Sequence, residues 1–316
     1  MYKKIISLSL TIVTCFLLAS CKSEVVESQK VAGYSYETLL LDGKKVTQHL
    51  SKSPEKVLVI GEKNAERMNY FGLEDKIAGL AYLESANEKD IKYPVISKEW
   101  PSKESVIQLK PDLIYGISTV FQDDRLGDFS FWNKQNIAVG TTSNYTTGIS
   151  PEAFYGEIEE FGQIFNITEK TTKFINNQKE EIETIINESK GKLSEESILF
   201  IASDGRGNYY YYPANYHLVD DITHDLDANY LNLGEELITL SPETLIKLNP
   251  EKIIFTKFMA TDEKDSWLEN PALNKVSAIQ NKEILTLLYD DVIRGNENLS
   301  RSYKNISEFL KADKND

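Results

Sequence analysis

The sequence predicts an α/β protein with two Rossmann-like lobes, each built on a central sheet, joined by one long helix. Short apolar runs alternate with amphipathic stretches in both halves of the chain, which is typical of parallel sheets covered by helices. Between these regions, residues 166–189 contain no proline or glycine. In addition, one eleven-residue pattern occurs once in each region. These three observations define the fold class.

Residues 1–20 are predicted to be a signal peptide. The positive start Lys3-Lys4 is followed by an apolar run that is too short and poorly flanked for a stable membrane span. That run ends in Leu18-Ala19-Ser20-Cys21, which resembles a bacterial lipobox, so Cys21 is expected to carry the lipid. An ordinary secretory signal with a chance cysteine is the alternative. Residues 21–33 are expected to be a polar tether.

The composition is acidic and excludes several kinds of function. The formal net charge is −14, and it becomes −16 when cleavage of the signal peptide removes Lys3 and Lys4. Nucleic acids attract positively charged surfaces, so we expect no nucleic-acid partner. Three histidines and two cysteines leave little material for a zinc cluster. With Cys15 removed and Cys21 acylated, the exported domain has no disulfide and depends on core burial for its stability.

Residues 34–165 are expected to form the first lobe. A hairpin around Asp42-Gly43 comes first, because Asp-Gly favours a two-residue turn. Ser150-Pro151-Glu152 marks the start of the last helix of the lobe. Strands are predicted at Val57–Ile60, Ile77–Tyr82, Leu113–Tyr115 and Ile137–Val139, and helices at Glu62–Phe71, Ser102–Leu109 and 151–165.

Residues 166–191 are expected to form the interlobe helix and residues 192–316 the second lobe. A helix of about 20 residues spans on the order of 30 Å and acts as a stiff spacer. In the second lobe, Tyr209–Tyr212 is extended, which places two rings in the core and two outside. Strands are predicted at Ile198–Ala202, Lys252–Thr256 and Ile284–Leu288, and helices at Leu218–Leu226, Ser241–Leu248 and Arg301–Lys311.

The internal repeat is the most specific pattern in the chain. Residues 104–114 read ESVIQLKPDLI and residues 243–253 read ETLIKLNPEKI, with five of eleven positions identical. Any helix followed by proline and a strand explains Pro111 and Pro250. It does not explain a glutamate seven residues before each proline.

Further segments carry a resemblance to a known family: 54–61 (PEKVLVIG), Phe71-Gly72-Leu73, Ile77-Ala78-Gly79 and 267–284 (WLENPALNKVSAIQNKEI). With the repeat, they make essentially the whole mature chain resemble the substrate-binding lipoproteins of ABC importers for ferric siderophores, heme and cobalamin. The two lobes of that class are joined by one rigid helix, and its ligand cleft lies between them. The resemblance implies a monomeric, non-enzymatic receptor without an intrinsic cofactor. It would be lipid-anchored at the extracytoplasmic face of a bacterial membrane and would serve an ABC permease dimer with its ATPase subunits.

In that family, the glutamate of each repeat unit pairs with arginines of the permease. This implies docking roles for Glu104 and Glu243. Electrostatics is consistent with docking roles for both residues. A carboxylate is stabilised at a helix N-terminus, and two carboxylates held apart by a rigid helix provide two-point recognition of a partner. Simple capping, beside Ser102 and Ser241, is the alternative.

The ligand, a ferric siderophore, is expected where the loops after the strands converge. Anionic siderophores need local cations in so acidic a protein, so Arg206, Lys257 and Arg294 carry most weight, although each could equally be a surface charge. No residue is expected to bind metal directly, with His217 as the one exception that stays open; His224 is expected to be structural, and Met259 to pack against apolar ligand surface. The full set of predicted ligand-binding residues is Lys63, Asn64, Tyr82, Ser118, Phe121, Thr142 and Tyr145 in the first lobe, and Arg206, Tyr209, His217, Lys257, Met259, Tyr289 and Arg294 in the second.

Several alternatives stay open. Cobalamin or heme could replace the siderophore, although heme relatives often carry a methionine just before the first docking glutamate, where this chain has Pro101-Ser102-Lys103. An exported α/β hydrolase is less well supported, because the Gly-x-Ser-x-Gly elbow is missing. A zinc or manganese receptor needs several histidines and carboxylates, and an adhesin needs neither a cleft nor paired glutamates. The single rigid helix predicts small lobe motion on binding.

Overall fold

Two five-stranded sheets and one long helix organise the structure, a computed structural model. It describes residues 33–83, 91–142, 148–214, 216–258 and 270–311, and only the backbone of Arg294. The predicted signal peptide and Cys21 lie outside these ranges. Within them, no helix is both long enough and apolar enough to cross a membrane.

An antiparallel hairpin opens the described chain, formed by β1 (Tyr34–Leu39) and β2 (Lys45–Leu50). Its loop is longer than the predicted two-residue turn: the Leu40 N–H donates to the Lys44 carbonyl at 2.8 Å. The hairpin is fastened to the first lobe by the Tyr36 hydroxyl, which donates to the Val139 carbonyl at 2.9 Å.

The first lobe is a parallel sheet of β3 (Val57–Ile60), β4 (Ile77–Ala81), β5 (Val95–Ser97), β6 (Leu113–Ile117) and β7 (Ala138–Thr142), in the order β5-β4-β3-β6-β7. Strands β3, β6 and β7 are buried along their whole length, which explains their uninterrupted apolar or small residues. The helices of this sheet are α1 (Glu62–Tyr70), α2 (Lys103–Leu109) and α3 (Phe129–Lys134). All of these elements except β5 and α3 are predicted from the sequence.

Two helices then lead out of the first lobe: α4 (Pro151–Ile164), capped by Ser150, and α5 (Thr168–Ser189). They approach closely because residue 162 is glycine. A β-carbon there would lie 2.1 Å from the Thr171 hydroxyl oxygen. The predicted interlobe helix is therefore packed firmly on the first lobe.

The second lobe contains β8 (Ile198–Ser203), β9 (Tyr209–Tyr211), β10 (Ile238–Thr239), β11 (Lys252–Lys257) and β12 (Ile284–Leu288), in the order β10-β9-β8-β11-β12. Strand β9 runs antiparallel to both β8 and β10, so this edge of the second sheet differs from the parallel pairing of β8, β11 and β12. The loop 204–208 is too short for the crossover that a parallel neighbour requires. The helices are α6 (Leu218–Asp225), α7 (Pro242–Leu248), α8 (Ser277–Gln280) and α9 (Leu299–Phe309).

One hydrophobic core runs through both lobes. The buried residues Phe174 and Ile182 of α5 belong to the same cluster as Phe161 of α4 and Ile306 of α9. The interlobe helix thus has an apolar face that packs on both lobes, and burial of that face holds the lobes in one arrangement.

The sequence repeat is also a structural repeat. Helices α2 and α7 have serine caps that accept a backbone N–H, and both end at a residue with positive φ, Lys110 (52°) and Asn249 (45°). Proline follows in each case, and then an inner strand, β6 or β11. Because α2 and α7 each run back to the start of the next parallel strand, their N-termini lie at the carboxyl edges of the two sheets.

Candidate functional site

A cleft of about 230 Å³ separates the lobes at the carboxyl ends of the strands. Predicted residues Lys63, Asn64 and Thr142 line it from the first lobe, and Asp290 and Glu297 line it from the second. Open α/β sheets bind ligands at this edge, so the cleft lies where the sequence analysis expects the ligand.

The described lining of this cleft is acidic. It includes the carboxylates of Glu66, Glu157, Asp290 and Glu297 but only two cations, Lys63 and Arg67. The Lys63 ammonium lies 2.8 Å from Glu66 and 3.4 Å from Asp290. Lys63 therefore sits in the cleft as predicted, but its charge is already engaged, partly across the lobe boundary.

A buried ion triad closes the inner end of the cleft. Arg67 of α1 pairs with Glu157 of α4, and its Nε lies 2.6 Å from Glu297 of the segment before α9. Burial alone would lower the pKa of Arg67, but the attraction of the two carboxylates outweighs it and raises that pKa well above its usual value. Arg67 is therefore a permanent cation that ties both lobes together.

Three predicted polar residues line or adjoin the first-lobe wall of the cleft. The Asn64 side chain donates to the Ile60 carbonyl at 2.7 Å, which anchors it to the end of β3. Thr142 is buried at the end of β7. Ser118 is buried directly after β6, and its hydroxyl has no hydrogen-bond partner among the described residues.

Tyr82 belongs to a stack that the sequence analysis missed. Its ring lies 3.9 Å from that of Trp100 at an interplanar angle of 13°, and the Arg125 guanidinium carbon lies 3.9 Å from the centre of the Trp100 ring. All three residues are partly exposed. No pattern along the chain connects positions 82, 100 and 125; they meet only because each follows a different strand of one sheet.

Two predicted ligand contacts are core residues instead. Phe121 packs edge-on against Phe129 with ring centres 4.6 Å apart, because the turn after β6 folds back over the sheet. Tyr209 is buried with Phe255 because it is one of the alternate residues of β9 whose side chains face the core. Tyr211 is likewise buried, whereas the alternate rings Tyr210 and Tyr212 are partly exposed, which confirms the predicted alternation.

His217 is a structural residue, so the suggestion of metal contact is wrong. Its ring is fully buried against Phe200, and its Nδ1 accepts the Asp220 N–H at 3.3 Å to cap α6. The Nε2 then carries the proton and donates to the Tyr212 carbonyl at 3.0 Å. Burial lowers the pKa of His217 to about 4, so the ring is neutral and both nitrogens are occupied. Among the described residues, no three histidine, cysteine, aspartate or glutamate side chains converge to hold a metal ion.

The second-lobe candidates are only partly placed. Arg206 is exposed on the loop between β8 and β9, Lys257 ends β11, and the Tyr289 ring meets Phe258 edge-on at 5.0 Å. Tyr145 and Met259 lie outside the described residues, as does the side chain of Arg294. These assignments stay predictions.

Glu104 and Glu243 occupy matching positions in the first turns of α2 and α7. Both are exposed, and neither forms an ion pair with a described residue. Each carboxylate accepts hydrogen bonds from its own backbone N–H and from the capping serine, which lowers its pKa. Two negative charges therefore stand at the carboxyl edges of the two sheets, one on each lobe.

This fold and this cleft define a two-lobed ligand-binding protein. The chain belongs to the periplasmic binding protein family, which it matches over residues 57–288. The family is one of substrate-binding proteins rather than enzymes, and no intrinsic cofactor is indicated.

Named relatives agree with this assignment. The chain is 24% identical over 299 residues to the petrobactin-binding protein YclQ of Bacillus subtilis, covering 90% of this chain and 91% of YclQ. It is 22% identical over 271 residues to the uncharacterized ABC transporter substrate-binding lipoprotein YvrC of the same organism, covering 84% and 82%. The catecholate-siderophore binding protein VctP of Vibrio cholerae shares the fold with a TM-score of 0.64 at 16% identity, covering 88% and 99%. Heme-binding proteins share the fold as well.

Proposed function

We propose that this protein is a lipid-anchored receptor that captures a ferric siderophore and delivers it to an ABC permease dimer with its ATPase subunits. The observation that carries the proposal is the interlobe cleft at the strand ends, flanked by two exposed glutamates on matching helices. The names of YclQ and VctP support the siderophore as ligand. The proposed working unit is a monomer with lobes at 34–165 and 192–316 and the helix 166–191 between them.

Ligand binding is tested by titrating the purified mature protein with ferric catecholate, carboxylate and hydroxamate complexes. Tryptophan fluorescence reports binding, because ferric complexes quench nearby indoles. We expect saturable quenching by at least one of these complexes. If none of them quenches the fluorescence, ferric siderophores are excluded as ligands. If heme or cobalamin binds preferentially in competition, that compound becomes the ligand instead.

The docking role of Glu104 and Glu243 is tested by reversing both charges to arginine. Uptake should be lost while ligand affinity is unchanged, since the two carboxylates would act on the permease and not on the ligand. A matched control reverses Glu169 and Glu195, which are also exposed; Glu169 occupies the same early position in α5. Normal uptake by the Glu104/Glu243 variant would exclude the docking role, and both residues would then only stabilise the N-termini of their helices.

The anchor is tested at Cys21. Cys21→Ala should release the protein from the membrane and abolish labelling with palmitate, because the thiol is the proposed acylation site. Persistence of the variant in the membrane fraction would contradict the lipobox interpretation. With a lipid at its end, the protein would face the extracytoplasmic side of the membrane.

A further inference from the structure

The hairpin of β1 and β2 is clamped by side chains to β7, the edge strand of the first-lobe sheet. The Tyr36 hydroxyl donates to the Val139 carbonyl at 2.9 Å, and the Thr141 N–H donates to the Thr38 hydroxyl oxygen at 2.8 Å. The Gln48 side chain of β2 accepts the Val139 N–H at 3.1 Å. These bonds pair backbone groups of an edge strand with the hairpin, which is therefore a fixed part of the first lobe.

The start of the described chain lies at the amino edge of the first-lobe sheet. The contacts above advance together along β1 and β7, so the two strands run in the same direction. Residue 34 therefore lies at the edge where the parallel strands begin, whereas Glu104 lies at the edge where they end. Tyr34 is fixed there, because its hydroxyl donates to the Ile164 carbonyl at 2.6 Å. Gly33 is held closely as well, since a β-carbon on it would lie 2.6 Å from the Leu50 carbonyl oxygen.

The proposed lipid and the proposed docking carboxylate are thus joined to opposite edges of the first lobe. When Glu104 meets the permease, the carboxyl edge faces the membrane, and the chain from Gly33 to Cys21 has to pass the height of the lobe to reach the lipid. Helix α4 starts after the carboxyl end of β7 and ends beside Tyr34, and its 14 residues measure that height as about 20 Å.

The reach of the tether is set by its covalent length. The twelve steps from Cys21 to Gly33 span at most about 40 Å. The height of the lobe alone uses about half of this reach, and any lateral distance from the docked receptor to the nearest lipid uses more. The clamped hairpin prevents residues 34–50 from adding to it.

We propose that the length of the tether, residues 21–33, decides whether the anchored receptor can dock on the permease. A tether that cannot span the distance between its two attachment points reduces the effective concentration for docking to nearly zero, however well the docking surfaces match. This inference rests on the proposed function, and it adds a length requirement to the lipid anchor and the docking glutamates.

The test removes residues 23–28 and leaves Lys22 beside the acylated cysteine. Six steps then remain between Cys21 and Gly33, and their reach of about 20 Å only equals the height of the lobe. A matched control replaces the same six residues by alternating glycine and serine, which keeps the length and changes the sequence. A second control duplicates residues 23–28, and a third places the deletion in Cys21→Ala protein, which has no lipid to restrain it.

Transport is measured as radioactive iron that enters proteoliposomes containing the permease dimer and its ATPase subunits. The iron is supplied as ferric 2,3-dihydroxybenzoate, ferric citrate or ferrioxamine B. The anchored deletion variant should stay in the membrane and bind these complexes with wild-type affinity, but it should transport at least about tenfold less iron. The glycine–serine and duplicated tethers should support wild-type transport. In Cys21→Ala protein added in excess, the deletion should change nothing, because the docking surface is intact.

Wild-type transport by the anchored deletion variant would overturn the length requirement and leave the receptor function intact. An equal loss with the glycine–serine tether would also overturn it, since the sequence of the tether would then matter rather than its length. A loss caused by the deletion in unanchored protein would do the same. If the wild type transports iron from none of the three complexes and from no other ferric siderophore, the proposed function fails, and the length requirement fails with it.

Discussion

Replacement of Arg67 by methionine should destabilise the protein strongly, because it removes the cation of a buried triad. The exposed fractions of the three side chains are 7% for Arg67, 5% for Glu157 and 12% for Glu297. Methionine fills a similar volume but removes the positive charge that pairs with both buried carboxylates. Since Glu297 belongs to the second lobe, the loss also acts on the interface between the lobes.

The expected magnitude follows from this burial. Removing one partner of a buried ion pair costs about 3–5 kcal/mol, mainly because the remaining charge is left unpaired. Typical domains are stable by roughly 5–15 kcal/mol, so Arg67→Met should lose a large fraction of the total. Adding Glu157→Gln and Glu297→Gln to Arg67→Met also removes the two negative charges of the triad. This triple variant should recover about half of the loss or more.

Urea denaturation at pH 7 measures these differences in the free energy of unfolding. Lys252→Met is a matched control: Lys252 also joins two glutamates, but Glu196 and Glu283 are 42% and 33% exposed, so about 1 kcal/mol is expected. A loss below about 1 kcal/mol in Arg67→Met, or a triple variant no more stable than the single one, would refute the reasoning.

Four further predictions concern pH, packing and motion. The pKa of His217 is about 4, below its unfolded value, so its contribution to stability is present above pH 6.5 and is lost as the pH falls toward 4. His217→Asn keeps a capping acceptor and should flatten this decline in urea titrations by up to about 3 kcal/mol; an unchanged slope would contradict it. Burial raises the pKa of Asp221 to about 6, so its ionisation weakens folding as the pH rises through 6. Asp221→Asn should therefore stabilise by about 1 kcal/mol at pH 8, allowing for partial exposure, and not at pH 3; equal effects at both values would exclude the mechanism. Gly162→Ala should cost about 1–3 kcal/mol, because the new methyl group overlaps the Thr171 side chain, and a neutral result in thermal unfolding would show that α4 and α5 separate freely. Finally, small-angle scattering should detect little change in radius on ligand binding, since α5 packs on both lobes; a large decrease would contradict a rigid interlobe helix.

The candidate site was partly accessible to sequence reasoning. The strand ends followed from the apolar runs, and the predicted ligand contacts Lys63, Asn64 and Thr142 line the cleft at those ends, while their contact with a ligand stays a prediction. The contacts of these side chains could not be predicted, because some of their partners belong to the other lobe. Lys63, for example, pairs with Asp290, which lies far away in the chain. Phe121 and Tyr209 turned inward for a related reason, since a residue near a strand end can face either the ligand or the core.

The sequence by itself determined the features that depend on near neighbours in the chain. The buried strands, the serine caps of α2 and α7, the uninterrupted α5 and the repeat that carries Glu104 and Glu243 were all read from local patterns. Only the tertiary structure decided the antiparallel edge of the second sheet, the burial of His217, the Arg67 triad and the stack of Trp100 with Arg125. The physical reason is that each of these depends on side chains or strands brought together by packing, whose energies are set by distance and burial in space rather than by spacing along the chain.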